Sequence, residues 1–573
     1  MSSDQPAFDA WHPGLTSDIP ARLKPLITLF RPENAFVSYS EAQEAARFCG
    51  LKPKQMCALR PERLIKHELL IRVTADLSVP DGPNYEVLGR NLRQMTARIY
   101  DDYVTPRLGE LTGLFDQTRA QGAAIISAAL ERDLFAAPPP PARPGLLARL
   151  TGRKLDTEAP PDPTTTALTS WQALADSTRD RAEGAALRGL CTVVQALLAH
   201  RGRLMADADI IARLASNIFS NTHGSWVLGQ AITPIMADAA KAEGYRFLPA
   251  QDKPVIMNVK GASASGKSTI RPQQRKLAET LNLPWEDFAL ISPDYWRKYL
   301  LDYESLGADA KYGAMLTGHE LEIIDRKLDD YVQAKAEAEN IPHLLIDRFR
   351  FDSFTAGSDG RLSNRLLTRF GHTVFLFFMI TPPEETVTRA WKRGLETGRY
   401  KAVDDLLHHN IEAYSGMPHL FFSWLASRDK NVHFEFLDND VPLGSLPRTV
   451  AYGWNDEMVV LRPEGLNRID RFRAVNVGAT RPDQVYDAPA PTGPDFLAQC
   501  LERIPTVSFA DAAQGIIYAR HSGRQWANAA PEYALDVDAS TWLDTHGWRA
   551  AKSNDALPLS SAGNGRQAHR LGR

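Results

Sequence analysis

Short, largely apolar runs alternate with longer stretches of helical periodicity through the middle of the chain. The apolar runs occupy residues 255–259, 288–291, 341–347, 373–380 and 432–437. Runs of this length are typical of strands buried on both faces, and their alternation with helices indicates right-handed βαβ units. The pattern predicts an α/β domain over residues 249–460, a parallel sheet flanked by helices, in which 432–437 is the last strand. Ligands of such sheets bind at the carboxyl ends of the strands.

The segments on either side of this domain follow different patterns. Residues 85–135 and 167–243 carry apolar side chains at three- and four-residue steps, and residues 1–83 mix proline-containing turns with short helical stretches. We therefore predict mainly helical regions over residues 1–135 and 167–248. Residues 136–166 are proline-rich and unpatterned, as in a linker. Residues 461–552 break into short segments with many prolines and glycines, which predicts a small C-terminal appendage. The last stretch, 553–573, is polar and basic with little to bury, and we expect it to be disordered.

Composition and charge narrow the class of protein. The chain has 573 residues, 44% of them hydrophobic, and a formal net charge of -3, as in an ordinary soluble protein of several domains. Its four cysteines lack metal-type spacing and are expected to be reduced, buried thiols. The N-terminus does not have the pattern of a secretory signal, and there is no apolar run of eighteen residues. We therefore expect a cytoplasmic protein, with export as an effector left open.

A glycine-bounded loop follows the first apolar run. It consists of Gly261, Ala262, Ser263, Ala264, Ser265, Gly266, Lys267, Ser268 and Thr269. Gly261 and Gly266 permit backbone angles that turn consecutive amides inward around a phosphate. Lys267 is expected to reach the β- and γ-phosphates and Ser268 to bind Mg²⁺, while the following helix points its positive end at the anion. The strand before and the helix after favour a phosphate-binding P-loop over a chance glycine-rich turn. Pro272 predicts that this helix begins irregularly.

An arginine-rich stretch follows the longest apolar run. Arg389 and Arg393 are four residues apart and share a helix face, and Arg399 follows. Phosphoryl transfer needs cations over the γ-phosphate, and planar guanidinium groups suit that task. We interpret the stretch as a lid, the alternative being an ordinary basic helix face. The chain has neither the Asn-Lys-x-Asp guanine motif nor the Leu-Ser-Gly-Gly-Gln run of transporter ATPases.

Residues 253–440, approximately, resemble the zeta-toxin family of small-molecule kinases. The resemblance rests on the P-loop, on the acids Asp294 and Asp347 at the ends of two apolar runs, and on the arginine-rich stretch. The resemblance implies that the domain uses ATP and Mg²⁺ to phosphorylate a hydroxyl of a sugar nucleotide, UDP-N-acetylglucosamine. It implies that Asp294 accepts the proton of the substrate hydroxyl and that Arg389 or Arg393, with Arg399, are the lid arginines. For Asp294 the alternative is a helix N-cap. Asp347 would organise Mg²⁺.

The chain departs from the family after the third strand. Family members carry Glu-Gly-Thr there, whereas this chain has Asp347-Arg348-Phe349-Arg350-Phe351-Asp352. The acceptor is therefore open between a UDP-N-acetylglucosamine-like molecule and a dinucleotide. Candidate residues of the acceptor pocket are His319, Glu320, Arg348 and Asp352. His408 and His409 have no metal-ligand partner at helical spacing, so a solvated helix face is expected there.

Two other functions compete with the small-molecule kinase. A polynucleotide 5′-hydroxyl kinase would share the P-loop and lid but needs a basic groove for its substrate. The balanced charge of the chain argues against such a groove. A non-catalytic ATP-binding switch would use nucleotide only to control a partner interaction. Toxins of the family are held inactive by a small helical antitoxin, so such a partner, or restraint in cis by the N-terminal helical region, is a further expectation by analogy.

Overall fold

The structure is a computed structural model that describes residues 8–82, 85–135, 162–348, 371–427, 429–442, 444–489, 492–523, 525–529, 557–558 and 569–572. The chain forms two compact units. One consists of Pro20–Arg72 and Met95–Gly244, and the other of Met1–Ile19, Val73–Gln94 and Tyr245–Arg573. Most of the predicted linker, 136–166, lies outside the described residues.

The helices of the N-terminal half are numbered α1 to α8. They are α1 (Tyr39–Cys49), α2 (Pro61–Asp76), α3 (Tyr85–Ile99), α4 (Leu108–Leu130), α5 (Pro163–Ser177), α6 (Arg181–Arg201), α7 (Ala208–Phe219) and α8 (Ser225–Glu243). The prediction of mainly helical segments is confirmed for the described residues. α6 is the one described helix long and apolar enough to cross a membrane, but 56% of its apolar window is buried, as in a core helix of a soluble protein.

The second unit contains a sheet of eleven strands. They are β1 (Val255–Lys260), β2 (Phe288–Ile291), β3 (His343–Asp347), β4 (Thr373–Ile380), β5 (Asn431–Asp438), β6 (Arg448–Trp454), β7 (Glu457–Val460), β8 (Thr506–Asp511), β9 (Ile516–Ser522), β10 (Gln525–Ala529) and β11 (Leu557–Pro558). Their order is β10-β9-β8-β7-β6-β5-β4-β1-β3-β2, with β11 beside β9. Strands β2, β3, β1, β4 and β5 are parallel, so all five predicted strands are confirmed and the fold is mixed α/β.

The sheet does not end at β5. β6 and β7 continue it antiparallel, and β8 pairs with β7 in parallel. The prediction that 432–437 is the last strand is therefore wrong, and strands β8 to β10 belong to the same sheet rather than to a separate appendage. These strands have four to seven residues and lie between turns rich in proline and glycine. Strands this short do not give a clear alternation of apolar and polar residues in the sequence.

Part of the C-terminal stretch predicted to be disordered is held in place. The carboxylate of Glu435 on β5 accepts hydrogen bonds from the backbone amides of Leu571, at 2.8 Å, and Gly572, at 3.1 Å. The Leu571 side chain is buried. For residues 569–572 the prediction is wrong, because one apolar side chain and two backbone donors suffice to anchor them.

Eight α-helices of the sheet unit follow β1 within the described residues. They are α9 (Arg271–Thr280), α10 (Arg297–Leu300), α11 (Gly313–Leu316), α12 (Gly318–Glu337), α13 (Pro383–Thr397), α14 (Val403–Leu425), α15 (Pro463–Phe472) and α16 (Phe496–Arg503). A 3₁₀ turn, Lys267–Ile270, precedes α9, and Pro272 lies in the first turn of that helix. The irregular start predicted from Pro272 is confirmed. All four cysteines are buried thiols, also as predicted.

Candidate active site

Of the two glycines that bound the loop after β1, Gly266 has the unusual backbone angle that was predicted for both, and Gly261 does not. Ala264 and Gly266 adopt positive φ angles of 61° and 87°. A Cβ atom added at Gly261 would lie 2.9 Å from the Cβ atom of Met379, and one added at Gly266 would lie 2.3 Å from Nδ2 of Asn439. Since neither position has room for a side chain, both glycines are required for the close packing of the loop.

The ends of two neighbouring strands hold this loop. The carbonyl oxygen of Ser265 accepts hydrogen bonds from Oγ1 of Thr381, at 2.9 Å, and from Nδ2 of Asn439, at 2.8 Å. Thr381 follows β4, and Asn439 follows β5 and donates its backbone N–H to the carbonyl of Ile380. The loop conformation is therefore fixed by the sheet edge as well as by its own sequence.

Lys267 lies at the centre of a charged cluster. Its ammonium group donates to the carbonyls of Gly261 and Ala262, at 3.2 and 2.9 Å. Burial lowers the pKa of Lys267, the charges of Asp347 and Asp294 raise it, and those of Arg393 and Arg399 lower it. These five ionisable residues therefore interact electrostatically. They come from the P-loop, from two strand ends and from the arginine-rich stretch, as expected when parallel strands bring their carboxyl ends to one edge.

Asp294 is held by two guanidinium groups. Oδ1 accepts from Nε of Arg297 at 2.8 Å, and Oδ2 accepts from Nη2 of Arg399 at 2.6 Å. The cap residue of its 3₁₀ turn is Ser292, so the alternative that Asp294 is an N-cap is wrong. Burial raises the pKa of Asp294, but the charges of Arg399 and Arg297 outweigh burial and hold it well below its usual range.

Asp347 and Ser268 offer oxygen atoms beside the P-loop lysine. Asp347 is the last residue of β3 and is paired in register with Val259 of β1. Within the described part of the chain, neither its carboxylate nor the Ser268 hydroxyl makes a side-chain hydrogen bond or ion pair. The charge of Asp347 also raises the pKa of Arg271, the first residue of α9.

The three predicted lid arginines differ in their contacts. Arg399 contacts Asp294, and Arg393 acts electrostatically on Lys267 and Asp294. Arg389 donates through Nη2 to the carbonyl of Asn439 at 2.7 Å. Arg389 therefore ties α13 to the segment that anchors the P-loop, whereas Arg393 and Arg399 face the charged cluster.

The candidate acceptor residues differ in their exposure to solvent. Arg348 is buried and forms ion pairs with Asp325, at 3.0 Å, and with Asp329, and Glu320 is completely buried. These two side chains do not reach solvent, which conflicts with the prediction that they line a pocket. His319 is exposed, and Asp352 lies outside the described residues.

His409 corrects the prediction of a solvated helix face. Its ring is half-buried and lies 3.5 Å from a carboxylate oxygen of Asp405, four residues earlier on α14. Lys401 contacts both of its ring nitrogens. His408 is exposed, as expected. The four-residue spacing of Asp405 and His409 could have predicted their contact from the sequence. The three-residue spacing of Asp294 and Arg297 could likewise have predicted that ion pair.

The residues present fit a nucleotide with Mg²⁺. No cluster of three His, Cys, Asp or Glu side chains able to hold a metal occurs in the described ranges. Mg²⁺ at phosphates is commonly bound by only one or two protein oxygens, a role for which Ser268 and Asp347 are placed. Gly261 and Gly266 pack closely against neighbouring protein atoms and so hold the loop that would bind the phosphates.

Comparison of the chain with protein-family models and with curated proteins found no match in either set.

Proposed function

We propose that the sheet unit is an ATP-dependent phosphotransferase similar to zeta-toxin kinases. It transfers the γ-phosphate to a hydroxyl of a nucleotide-linked small molecule, either a UDP-N-acetylglucosamine-like sugar nucleotide or a dinucleotide. The observation that carries the proposal is the 2.6 Å contact between Arg399 and Asp294, because both residues also act on the P-loop lysine. A cation, a candidate base and a phosphate-binding loop thus occupy one site.

Each residue has a role in the transfer. Lys267 and the loop amides bind the phosphates, and Arg393 and Arg399 neutralise charge on the γ-phosphate. The acceptor oxygen bonds to the γ-phosphorus as the bond from that phosphorus to its bridging oxygen breaks, and the electron pair leaves with ADP. Asp294 takes the hydroxyl proton. Its lowered pKa keeps it ionised at neutral pH, and positioning supplies most of the catalysis.

Mg²⁺ would be held by Ser268 and Asp347 together with phosphate oxygens. When bound, it neutralises negative charge on the phosphates. Asp347 is free of competing side-chain bonds among the described residues, which supports this assignment.

Label transfer from ATP tests the proposal. The full chain is incubated with Mg²⁺, ATP labelled at the γ-phosphate, and a pool of sugar nucleotides and dinucleotides. We expect a labelled small molecule with the wild-type protein and none with Lys267→Ala. Lys253→Ala serves as the control, because Lys253 is exposed and precedes β1. Folded wild-type protein that yields no labelled product would remove the proposal.

A further inference from the structure

Three side chains at the start of α14 form a compact cluster. Nζ of Lys401 lies 3.3 Å from a carboxylate oxygen of Asp405 and contacts the ring nitrogens of His409. Asp405 and His409 are four residues apart and therefore share one face of α14. The cluster fixes the position of an ammonium group on a side chain that is otherwise flexible.

This cluster borders the site of the proposed phosphoryl transfer. The charges of Lys267 and Asp294 both act on the imidazole of His409, and those of Arg393 and Arg297 act on Lys401. Arg399, two residues before Lys401, also contacts Asp294 at 2.6 Å. The cluster therefore lies near both the P-loop lysine and the carboxylate proposed as base. The transferred phosphoryl group would pass between those two residues.

Asp405 is the carboxylate paired with Lys401, and further positive charges lie close by. Lys401 is only 18% exposed and shares its surroundings with two guanidinium groups. Burial and the charge of Arg393 lower its pKa to about 8, while Asp405 raises it. Asp405 relieves the repulsion among these three cations, and a bound anion would relieve it further.

We propose that Lys401 is a further catalytic residue that contacts the phosphoryl group during its transfer, with Asp405 and His409 as the positioning residues of its ammonium group. The inference rests on the proposed function. An ammonium group has three N–H donors, and Asp405 and His409 engage two of them. The third would donate to an oxygen of the phosphoryl group, where charge develops in the transition state.

Binding of a transition-state mimic tests this without knowledge of the acceptor. Binding of Mg²⁺ and ADP to the full chain is measured by calorimetry with and without fluoroaluminate, which imitates the phosphoryl group in transfer. We expect fluoroaluminate to tighten ADP binding to the wild-type protein. Lys401→Met should reduce that gain at least about 10-fold and leave the affinity for ADP alone unchanged. Lys401→Arg should restore part of the gain, because it keeps the charge.

The controls separate catalysis from folding. Lys392→Met removes an exposed ammonium group from α13 and should behave as the wild type. Asp405→Asn and His409→Gln should each reduce the fluoroaluminate gain in part, at unchanged ADP affinity. If Lys401→Met retains the full gain, or weakens ADP binding equally with and without fluoroaluminate, the inference is wrong. If the wild-type protein itself shows no gain, phosphoryl transfer at this site is wrong as well.

Discussion

Nη2 of Arg399 donates to Oδ2 of Asp294 across 2.6 Å, joining the segment after α13 to the segment after β2. The two residues are far apart in sequence, and both lie beside the P-loop lysine. The contact leaves Asp294 ionised and Arg399 oriented before any substrate binds. In the proposed kinase this arrangement lowers the reorganisation needed during transfer.

The first prediction concerns Arg399. We expect Arg399→Ala to lower the rate of phosphoryl transfer by about 10³-fold, as for other arginines that stabilise this transition state. Label transfer under single-turnover conditions measures the rate. The matched control is Arg481→Ala, which removes an exposed arginine paired with Asp483 and should leave the rate unchanged. Equal rates for Arg399→Ala and the wild type would contradict the role of Arg399.

The second prediction concerns the charge of Asp294. Its pKa is lowered in the folded protein, so its contribution to stability is present above the ordinary carboxyl pKa and is lost as pH falls through the lowered value. Asp294→Asn should therefore cost stability at pH 6 and progressively less below pH about 4. Thermal unfolding of both proteins across pH measures this. A stability difference that stays constant down to pH 2 would contradict it.

The third prediction concerns Lys401 and alkaline pH. The groups that face it are Asp405 and His409 on α14, Arg393 on α13 and Arg297 on α10. Since its pKa is lowered to about 8, the charged form is lost as pH rises through that value. We expect kcat/KM for ATP, which reports the free enzyme, to fall above pH 8. Lys401→Arg should remove this decline, and its persistence in that variant would assign it to another group.

The fourth prediction concerns Gly266. An added methyl group would meet Asn439 and would also have to adopt a φ angle of 87°. We expect Gly266→Ala to cost about 1–3 kcal/mol in the free energy of unfolding and to weaken ATP binding. Gly515→Ala is the control, since Gly515 has a φ angle of 68° but open space around it. If both variants bind ATP as the wild type does, the close packing at Gly266 is unimportant for binding.

The fifth prediction concerns the C-terminal anchor. Removing residues 569–573 takes two backbone donors from the buried carboxylate of Glu435, whose pKa is already raised by burial. We expect a loss of about 1–3 kcal/mol in the free energy of unfolding. Chemical denaturation measures it. In the Glu435→Gln background the same truncation should lower the free energy of unfolding by less, because burying an unpaired neutral amide is less unfavourable than burying an unpaired carboxylate. An equal loss in both backgrounds would contradict the role of the charge.

The parallel core was predictable because its strands are unbroken apolar runs, and the left-handed backbone at Gly266 because glycine adopts positive φ angles without strain. Strands β6 to β10 were missed because short strands between proline- and glycine-rich turns lack a clear period. Thr381, Asn439 and Lys401 were missed because their roles depend on contacts that only the folded sheet edge creates. The contact between Asp405 and His409 could have been predicted, since their four-residue spacing places them on one helix face.

Asn439 joins two parts of the site through one residue. Its side-chain amide binds the Ser265 carbonyl of the P-loop, and its own carbonyl accepts from Arg389 of α13. A movement of α13 would therefore act on the loop after β1 through the backbone carbonyl and the side chain of this one residue. In the proposed kinase, movement of the arginine-bearing helix and release of the product nucleotide would therefore be coupled.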